Sequence, residues 1–429
     1  MSPSDAPADA ASVDDGSGHE PWLSIVGIQE SGAEELCERA REAISQASVV
    51  FGGSRHLALT GTLIQGTPIA WPSPLSEGIS QLMALRGQRV CVLASGDPFH
   101  YGIGSTLSEY IPAAEMMVFP APSAFSLACA RLGWPLQKSR LLSLHGRAMS
   151  RLNGHLHHGV RVVALTSDGQ APALMAGMLV ERNMGETRLT VLEALGGPRE
   201  KIASFTAQAL AREDRTFDAL NVVALEIVQQ GEGAVAGLAP GRSDALFEHD
   251  GQITRRDIRA MTLARLSPRP GERLWDIGAG AGSVAIEWLL LDDSLEAVAI
   301  ERDETRRQRI RRNSETLGVP RLEIVSGEAP AALDGLATPQ AIFVGGGVSD
   351  MALMARCFDA LAPGGRLVAN AVTLESELAL GECHRLLGGE LMRLSLEQTA
   401  PLGSMIGWTP ARTITQWAWT KPLDFQGVS

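Results

Sequence analysis

The chain has 429 residues, 45% of them hydrophobic and 20% charged, an ordinary globular composition with length for two or three domains. Lysine and arginine total 37 against 49 aspartates and glutamates, a formal net charge of −12. Such a chain repels phosphates and is a poor non-specific binder of nucleic acid or of an anionic membrane surface, and no apolar run reaches the roughly 18 residues of a membrane helix.

Residues 1–21 read as a disordered acidic tail, without the basic and apolar regions of a signal peptide. The five cysteines (Cys37, Cys91, Cys129, Cys357, Cys383) are far apart and form no C-x-x-C pair. A reducing compartment, the cytoplasm, is expected, with each thiol acting as a small buried hydrophobe. From Trp22 onward come the short apolar runs WLSIVG, SVVFGG, RVCVLASG, EMMVFPAP, VRVVALTSDG, RLTVLEALGG and LNVVALEIV, each bounded by Gly, Pro, Ser or Asp. Helical patterns lie between most of them, the first over Ala33–Ala47. This alternation predicts an α/β domain with a largely parallel sheet over residues 22–230. The Gly- and Ala-rich residues 231–243 read as a linker. A second α/β domain follows over 244–429, with strands RLWDIG, EAVAIE, LEIVSG, AIFVGGG and RLVANAV. Its helices are expected over Arg255–Leu266, Val284–Leu291, Glu304–Leu317 and Asp350–Leu361. The two halves are different units, not copies.

In the second domain a strand carrying Asp276 runs into Gly278-Ala279-Gly280-Ala281-Gly282-Ser283 and then a helix. Glycines let the backbone turn tightly and approach a ligand, and the helix start offers unpaired N–H groups. A dinucleotide site uses G-x-G-x-x-G with pyrophosphate on the helix; here the spacing is G-x-G-x-G. Glu301 ends the next strand, where an acid can take two ribose hydroxyls in either kind of site. Gly345-Gly346-Gly347 follows the fourth strand, at the sheet edge where open α/β sheets bind ligands. Ahead of the first strand, Thr254 is an N-cap candidate with Asp257 three residues on. Arg255, Arg256 or Arg259 would reach substrate carboxylates, or lie on the solvated basic face of a capped helix. The five arginines between Arg306 and Arg312 spread over more than one helix face and read as a solvated, salt-bridged surface.

In the first domain Gly96-Asp97-Pro98 makes a rigid turn after a strand. His145 and Arg147 are candidates for binding carboxylates or moving a proton, set against a structural histidine bonded to a loop carbonyl. The HLHHG segment has no carboxylate or cysteine partner nearby, and no metal site is expected.

Taken in order, Val26-Gly27-Ile28, FGGSRHL at Phe51–Leu57, Gly96-Asp97-Pro98, Pro120–Ser126, Ser143–Arg147, Thr166–Gly169 and Leu220–Val223 resemble the tetrapyrrole methylase family over roughly residues 22–230. That resemblance implies two α/β lobes with S-adenosylmethionine in the cleft between them. It points to Gly27, Gly96, Asp97, Pro98, Ser126, Asp168 and Asn221 as cofactor residues. Gln29 stands where the family's first motif carries its second glycine. The second half resembles the Rossmann-like class I S-adenosylmethionine methyltransferases. With GQITRRDIRA, WDIGAGAGSVAIEW, AIERD and FVGGG, it is similar to the decarboxylating precorrin methyltransferases of corrin synthesis. This implies cofactor contacts from Thr254, Asp276, Gly278, Gly280, Gly282, Ser283, Glu301, Glu328, Ala329 and Gly345, with Glu328 and Ala329 near the adenine.

The paired resemblance implies one S-adenosylmethionine site per domain and a reduced precorrin as small-molecule substrate. The first domain would methylate meso carbon 5. The second would decarboxylate the ring C acetate and methylate meso carbon 15, giving precorrin-8 in cobalamin biosynthesis. A homo-oligomer is expected by analogy, with neither nucleic acid nor membrane as partner. The loop alone leaves open an NAD-dependent oxidoreductase, and the fold alone leaves open a class I RNA methyltransferase or a non-catalytic protein. The net charge and the lack of an aromatic-basic platform oppose an RNA substrate.

Overall fold

A computed structural model describes residues 21–229 and 237–425. Residues 1–20 of the expected tail and 231–236 of the expected linker lie outside the described residues. Two compact units divide the chain. Residues up to His145, Arg161–Leu174 and Arg188–Leu225 form one; Gly146–Val160, Met175–Thr187 and the chain from Glu226 onward form the other.

The first unit begins with strands β1 (Leu23–Ile28), β2 (Val49–Gly52), β3 (Thr67–Ala70), β4 (Val90–Ser95) and β5 (Met116–Phe119), a parallel sheet in the order β3-β2-β4-β1-β5. Helices α1 (Glu38–Ser45), α2 (Ser54–Thr60), α3 (Leu75–Met83) and α4 (Ile103–Leu107) connect them. Successive strand residues point to opposite faces, so the apolar runs feed two cores. Leu23, Ile25, Val90 and Val92 pack with Ile79, Leu82 and Leu107; Val26, Ile28, Cys91 and Leu93 pack with Ala40 and Ile44. The single helix expected over Ala33–Ala47 is broken. A 3₁₀ turn over Gly32–Glu35 ends at an extended Leu36, and α1 restarts after an extended Cys37. The break lets Leu36 pack on the core of Ala40 and Ile44 and leaves Cys37 exposed, unlike the other four buried thiols.

After α5 (Ala124–Leu132) comes a second five-stranded sheet: β6 (Ser139–Ser143), β7 (Arg161–Leu165), β8 (Arg188–Glu193), β9 (Lys201–Thr206) and β10 (Asn221–Glu226). Its order is β6-β7-β10-β8-β9, with β6 and β7 parallel and β8 and β9 antiparallel. Helix α7 (Ala207–Leu210) follows β9, and α6 (Ala171–Glu181) follows β7, with its residues from Met175 on belonging to the second unit.

The second unit holds α8 (Arg256–Leu266), β11 (Arg273–Ile277), α9 (Ser283–Leu289), β12 (Glu296–Glu301), α10 (Glu304–Leu317), β13 (Glu323–Ser326), β14 (Ala341–Val344), α11 (Met351–Ala360), β15 (Arg366–Ala371) and α12 (Leu374–Leu387). An antiparallel extension follows: β16 (Glu390–Leu394), β17 (Glu397–Leu402), β18 (Met405–Pro410) and β19 (Ile414–Thr420). The seven-stranded sheet runs β13-β12-β11-β14-β15-β19-β16, parallel except at β19, while β17 and β18 pair as a separate hairpin. Adjacent residues again split between faces. Leu274, Ala299, Phe343 and Val368 meet residues of α8, α9 and α10, while Trp275, Ile300, Ile342 and Leu367 meet residues of α11 and α12. Helices on both faces of a mostly parallel sheet leave the carboxyl ends of the strands as the free edge for a ligand.

Candidate active site

In the second unit the glycine loop is fixed from three sides. Gly278, Gly280 and Gly282 hold φ of +71°, +59° and +74°, the left-handed region that favours glycine. A Cβ on Gly280 would lie 2.7 Å from the Gln252 carbonyl oxygen, and one on Gly282 would lie 2.8 Å from Ile310. Asp276, inside β11, accepts the Ala285 amide at 3.0 Å through Oδ2, so it ties the strand to the start of α9. Its Oδ1 is buried without a partner. Burial pushes this carboxyl up to about 7; the Ala285 amide lowers it, and the charge of Glu301 raises it. Glu301, at the end of β12, accepts from the Gly280 amide at 2.9 Å and from the Asp303 amide at 3.1 Å. Its carboxylate therefore holds the loop as well as lining the cavity above it.

A cavity of about 1070 Å³ opens above this loop, slightly larger than the usual range for small-molecule sites. It gathers Thr254, Arg255, Gly278, Gly280, Glu301, Glu328, Ala329 and Gly345 from separate stretches of sequence. Glu328 sits at the exposed rim, paired with Arg302 at 2.8 Å. Asp276, Gly282 and Ser283 do not line the cavity; they are framework beneath the loop, with Ser283 buried as the first residue of α9.

Two expectations about the leading segment are corrected. Thr254 does not cap α8. The cap position is Arg255, with no side-chain hydrogen bond, and the Thr254 carbonyl instead accepts from Arg259 at 2.5 Å. Arg259 does not face a substrate. It is 0% exposed and donates to Glu287 at 2.7 Å, to Asp244 at 3.0 Å and to the Arg242 carbonyl, with the Phe247 ring beside its guanidinium. Glu287 also accepts the Gly241 and Arg242 amides, so this end of the expected linker is fastened to α9. Arg255 and Arg256 both line the cavity: Arg255 is 62% exposed and 3.6 Å from Asp244, while Arg256 Nε donates to the Gly241 carbonyl at 2.7 Å. The basic helix α10 is salt-bridged as expected: Arg306 and Arg309 hold Asp250, and Arg312 holds Glu248.

Several cavity residues were not singled out from the sequence: Arg302, Asn370, Arg412 and the stretch from Leu394 to Gln398. The last two belong to the antiparallel extension, which alternates weakly and is largely exposed. Asn370 had a signal, a lone polar residue inside the apolar run RLVANAV.

In the first unit, Gly27 and Gly96 bring β1 and β4 together. A Cβ on Gly27 would lie 1.9 Å from the Gly96 carbonyl oxygen and 2.8 Å from the Ala121 amide. Gly96 has a φ of +55°. Asp97 Oδ1 accepts the Phe99 amide at 2.9 Å, and the Pro98 carbonyl accepts the Gly104 amide at 2.9 Å, which fixes the turn. Ser126 donates its amide to Ser123, the N-cap of α5. Asp168 Oδ1 accepts the Gln170 and Ala171 amides at the start of α6. The Asn221 carboxamide is spent within the chain, donating to the Asp168 and Asp218 carbonyls and accepting from Thr166. Its side chain pins loops rather than offering a free group. His145 lies 3.3 Å from the Thr166 carbonyl, the structural reading of that histidine, and Arg147 is exposed.

Sequence reasoning passed over a polar cluster here. Glu30 pairs with Arg55 and, at 3.5 Å, with Arg199, and Arg55 reaches His56 and Ser95. Because Arg55 only donates, His56 Nε2 accepts; burial, and then the Arg55 charge, bring this histidine down to about 4. A cavity of about 430 Å³ lies on Ser54, Leu57, Gly61, Ile64, Gly66, Pro68 and Ala70 and takes in none of the expected cofactor residues.

Two family models match: Tetrapyrrole (Corrin/Porphyrin) Methylases over residues 23–211 and Precorrin methyltransferase domain over residues 245–421. A protein from Sinorhizobium sp, named precorrin-6Y C(5,15)-methyltransferase (decarboxylating), is 50% identical over 402 residues, 94% of this chain and 97% of its own. A Mycobacterium tuberculosis protein of the same name is 40% identical over 400 residues, 93% of this chain and 100% of its own. The crystal structure of the C-terminal domain of precorrin-6Y C5,15-methyltransferase from Rhodobacter capsulatus is 48% identical, covering 43% of this chain and 100% of that one, with a TM-score of 0.41.

Proposed function

The chain belongs to the precorrin-6Y C(5,15)-methyltransferase (decarboxylating) family, and from that membership we propose a division of labour along it. The domain at 22–230 methylates meso carbon 5 of a reduced precorrin. The domain at 244–429 removes CO₂ from the ring C acetate and methylates meso carbon 15. The observation that carries this reading is the full-length relationship across two unlike folds. A match to either half alone would leave one methyl unassigned. The oxidoreductase and RNA methyltransferase alternatives are not favoured.

Each domain holds its own S-adenosylmethionine in this reading. The residues of the second domain fit that group. Gly278 and Gly280 present bare backbone to the cavity, and a Cβ at Gly345 would fall 3.1 Å from the Phe343 ring and 3.3 Å from the Gly278 carbonyl. Glu301 keeps acceptor capacity beyond its two amide bonds for ribose hydroxyls, and Glu328 and Ala329 flank the adenine end. In the first domain Gly27, Gly96, Asp97 and Pro98 form the cradle, and Ser126 and Asp168 stand on the facing lobe. When bound, the cofactor supplies an activated methyl group on a sulfonium.

The chain's part is chiefly alignment and exclusion of water. The leading segment Gly251–Asp257 covers one side of the second cavity, held down by the Arg259–Glu287 and Asp250–Arg306 pairs. Arg255 and Arg412 line the same space and suit the peripheral carboxylates of the macrocycle, since guanidinium pairs with carboxylate in a fork. The conjugated macrocycle, once protonated, takes up the electron pair released with CO₂.

Self-association also belongs to this reading: hairpin β17–β18 exposes Leu402, Met405, Ile406 and Trp408, each about 70% or more, a surface that a second copy would cover. Among the described residues no helix is long and apolar enough to cross a membrane. Free thiols at all five cysteines suit the cytoplasm. The test is mass analysis of a reduced precorrin incubated with the protein and S-adenosylmethionine. A gain of two methyl groups with loss of one CO₂ is expected, and calorimetry should count two equivalents of S-adenosylhomocysteine per chain. One equivalent per folded chain would overturn the two-site reading, and sedimentation velocity decides the oligomer.

A further inference from the structure

Strand β15 reads Arg366-Leu367-Val368-Ala369-Asn370-Ala371, and the asparagine interrupts an apolar run where the ligand crevice opens. Its antiparallel register partner on β19 is Gln416, and residues directly opposite share a face of the sheet. Helix α8 covers that face and brings Thr262 to the pair. Gln416 Nε2 donates to Asn370 Oδ1 at 2.9 Å and to Thr262 at 3.1 Å, while Asn370 Nδ2 reaches Thr262 at 3.4 Å. Thr262 is 0% exposed and Gln416 1%; Asn370 is half-buried and lines the cavity.

Burying a carboxamide is costly unless its groups are bonded, and Gln416 Oε1 has no partner. An apolar trio would join these three elements without that cost. What the polar trio adds is a fixed orientation for Asn370. Its Oδ1 is committed to Gln416, and its nitrogen has two hydrogens but a single long bond, which leaves a donor for the cavity. The sheet order sets β14 between β11 and β15. Asn370 therefore stands two strand spacings, roughly 10 Å, from the glycine loop, on the side away from Glu301. That is the acceptor's end of the cavity, not the nucleoside's.

We infer that Asn370 is a specificity-determining residue of the second domain, donating its amide hydrogen to a peripheral carboxylate of the acceptor macrocycle, with Gln416 and Thr262 as the positioning residues that aim it. The inference rests on the decarboxylating methyltransferase reading of that domain.

The full-length protein supplies its own control when the first domain's methylation is measured separately, on an acceptor that already carries the second domain's methyl. Asn370→Ala should raise the KM for the precorrin at the second domain about tenfold or more, the loss of a hydrogen bond to a charged group. The KM for S-adenosylmethionine and the carbon-5 methylation of that acceptor should stay at wild-type values. Asn370→Asp separates this role from a structural one. Aspartate still accepts from Gln416, so a framework role makes it milder than alanine, whereas donation to a carboxylate makes it worse. Gln416→Met, close in volume, should raise the same KM by a smaller factor. An unchanged KM in Asn370→Ala, or an aspartate variant milder than the alanine variant, overturns the assignment. A wild-type protein that neither decarboxylates nor adds the second methyl overturns the functional reading itself, and this assignment with it.

Discussion

Arg259 Nε donates to Glu287 Oε1 at 2.7 Å, and both side chains are wholly shielded from water. Removing one partner of such a pair leaves a buried charge uncompensated and costs about 3–5 kcal/mol. Arg259→Ala should therefore lower the melting temperature by on the order of 10 °C, read by calorimetry. Arg255→Ala, one position from α8 and exposed, should leave the melt within error, as surface pairs contribute little. Equal melts for the two variants would mean that the buried pair does not hold the leading segment.

The first domain yields a prediction about space. Gly27 is bare because the Gly96 carbonyl occupies the place of a Cβ, at 1.9 Å, and both partners are backbone that cannot swing aside. Gly27→Ala should abolish the first methylation while the second domain still decarboxylates and adds its methyl. The product masses check it; a variant that still adds both methyls would show that the β1–β4 approach can relax.

The parts that were legible in the sequence share one cause. Asp276 through Gly282, Glu301 and the strands of both parallel sheets other than β3 are dictated locally, by short apolar runs bounded by turn residues. The fate of the arginines was not local. Arg255 and Arg259 both lie near the start of α8, yet helical geometry turns one to the cavity and the other onto Glu287, a residue 28 positions away. The antiparallel extension escaped notice because its hairpin buries little, and with it went Arg412 and Gln416. Asn221 fell into the same gap: its motif is visible in the sequence, but only the fold shows its carboxamide spent on the Asp168 and Asp218 carbonyls.

Asp276 makes stability depend on pH. Its folded-state pKa, about 7, lies above the unfolded value near 4, so between those two values the folded chain binds the extra proton. Stability is therefore lost as pH rises through this window and is level above it. Asp276→Asn still accepts the Ala285 amide but has no charge to bury. Its melting temperature relative to wild type should rise from pH 4 to pH 7 and then stay flat, a span on the order of 4 kcal/mol. A pH-independent difference would place the carboxyl's titration elsewhere.

Arg412 lines the same cavity as the leading segment's Arg255, exposed in the segment just before β19. Two separated guanidinium groups in an acidic chain match a flat substrate fringed with carboxylates better than one does. Arg412→Ala and Arg255→Ala should each raise the precorrin KM of the second domain about tenfold, the value of one charge-assisted bond. The double variant should approach the product of the two factors if the groups grip different carboxylates. S-adenosylhomocysteine affinity, measured by calorimetry, should not move if the nucleoside sits on Glu301 and the glycine loop, as proposed. A double variant no worse than either single one would mean that both arginines serve the same carboxylate, and a loss of S-adenosylhomocysteine affinity would move them to the cofactor's side of the site.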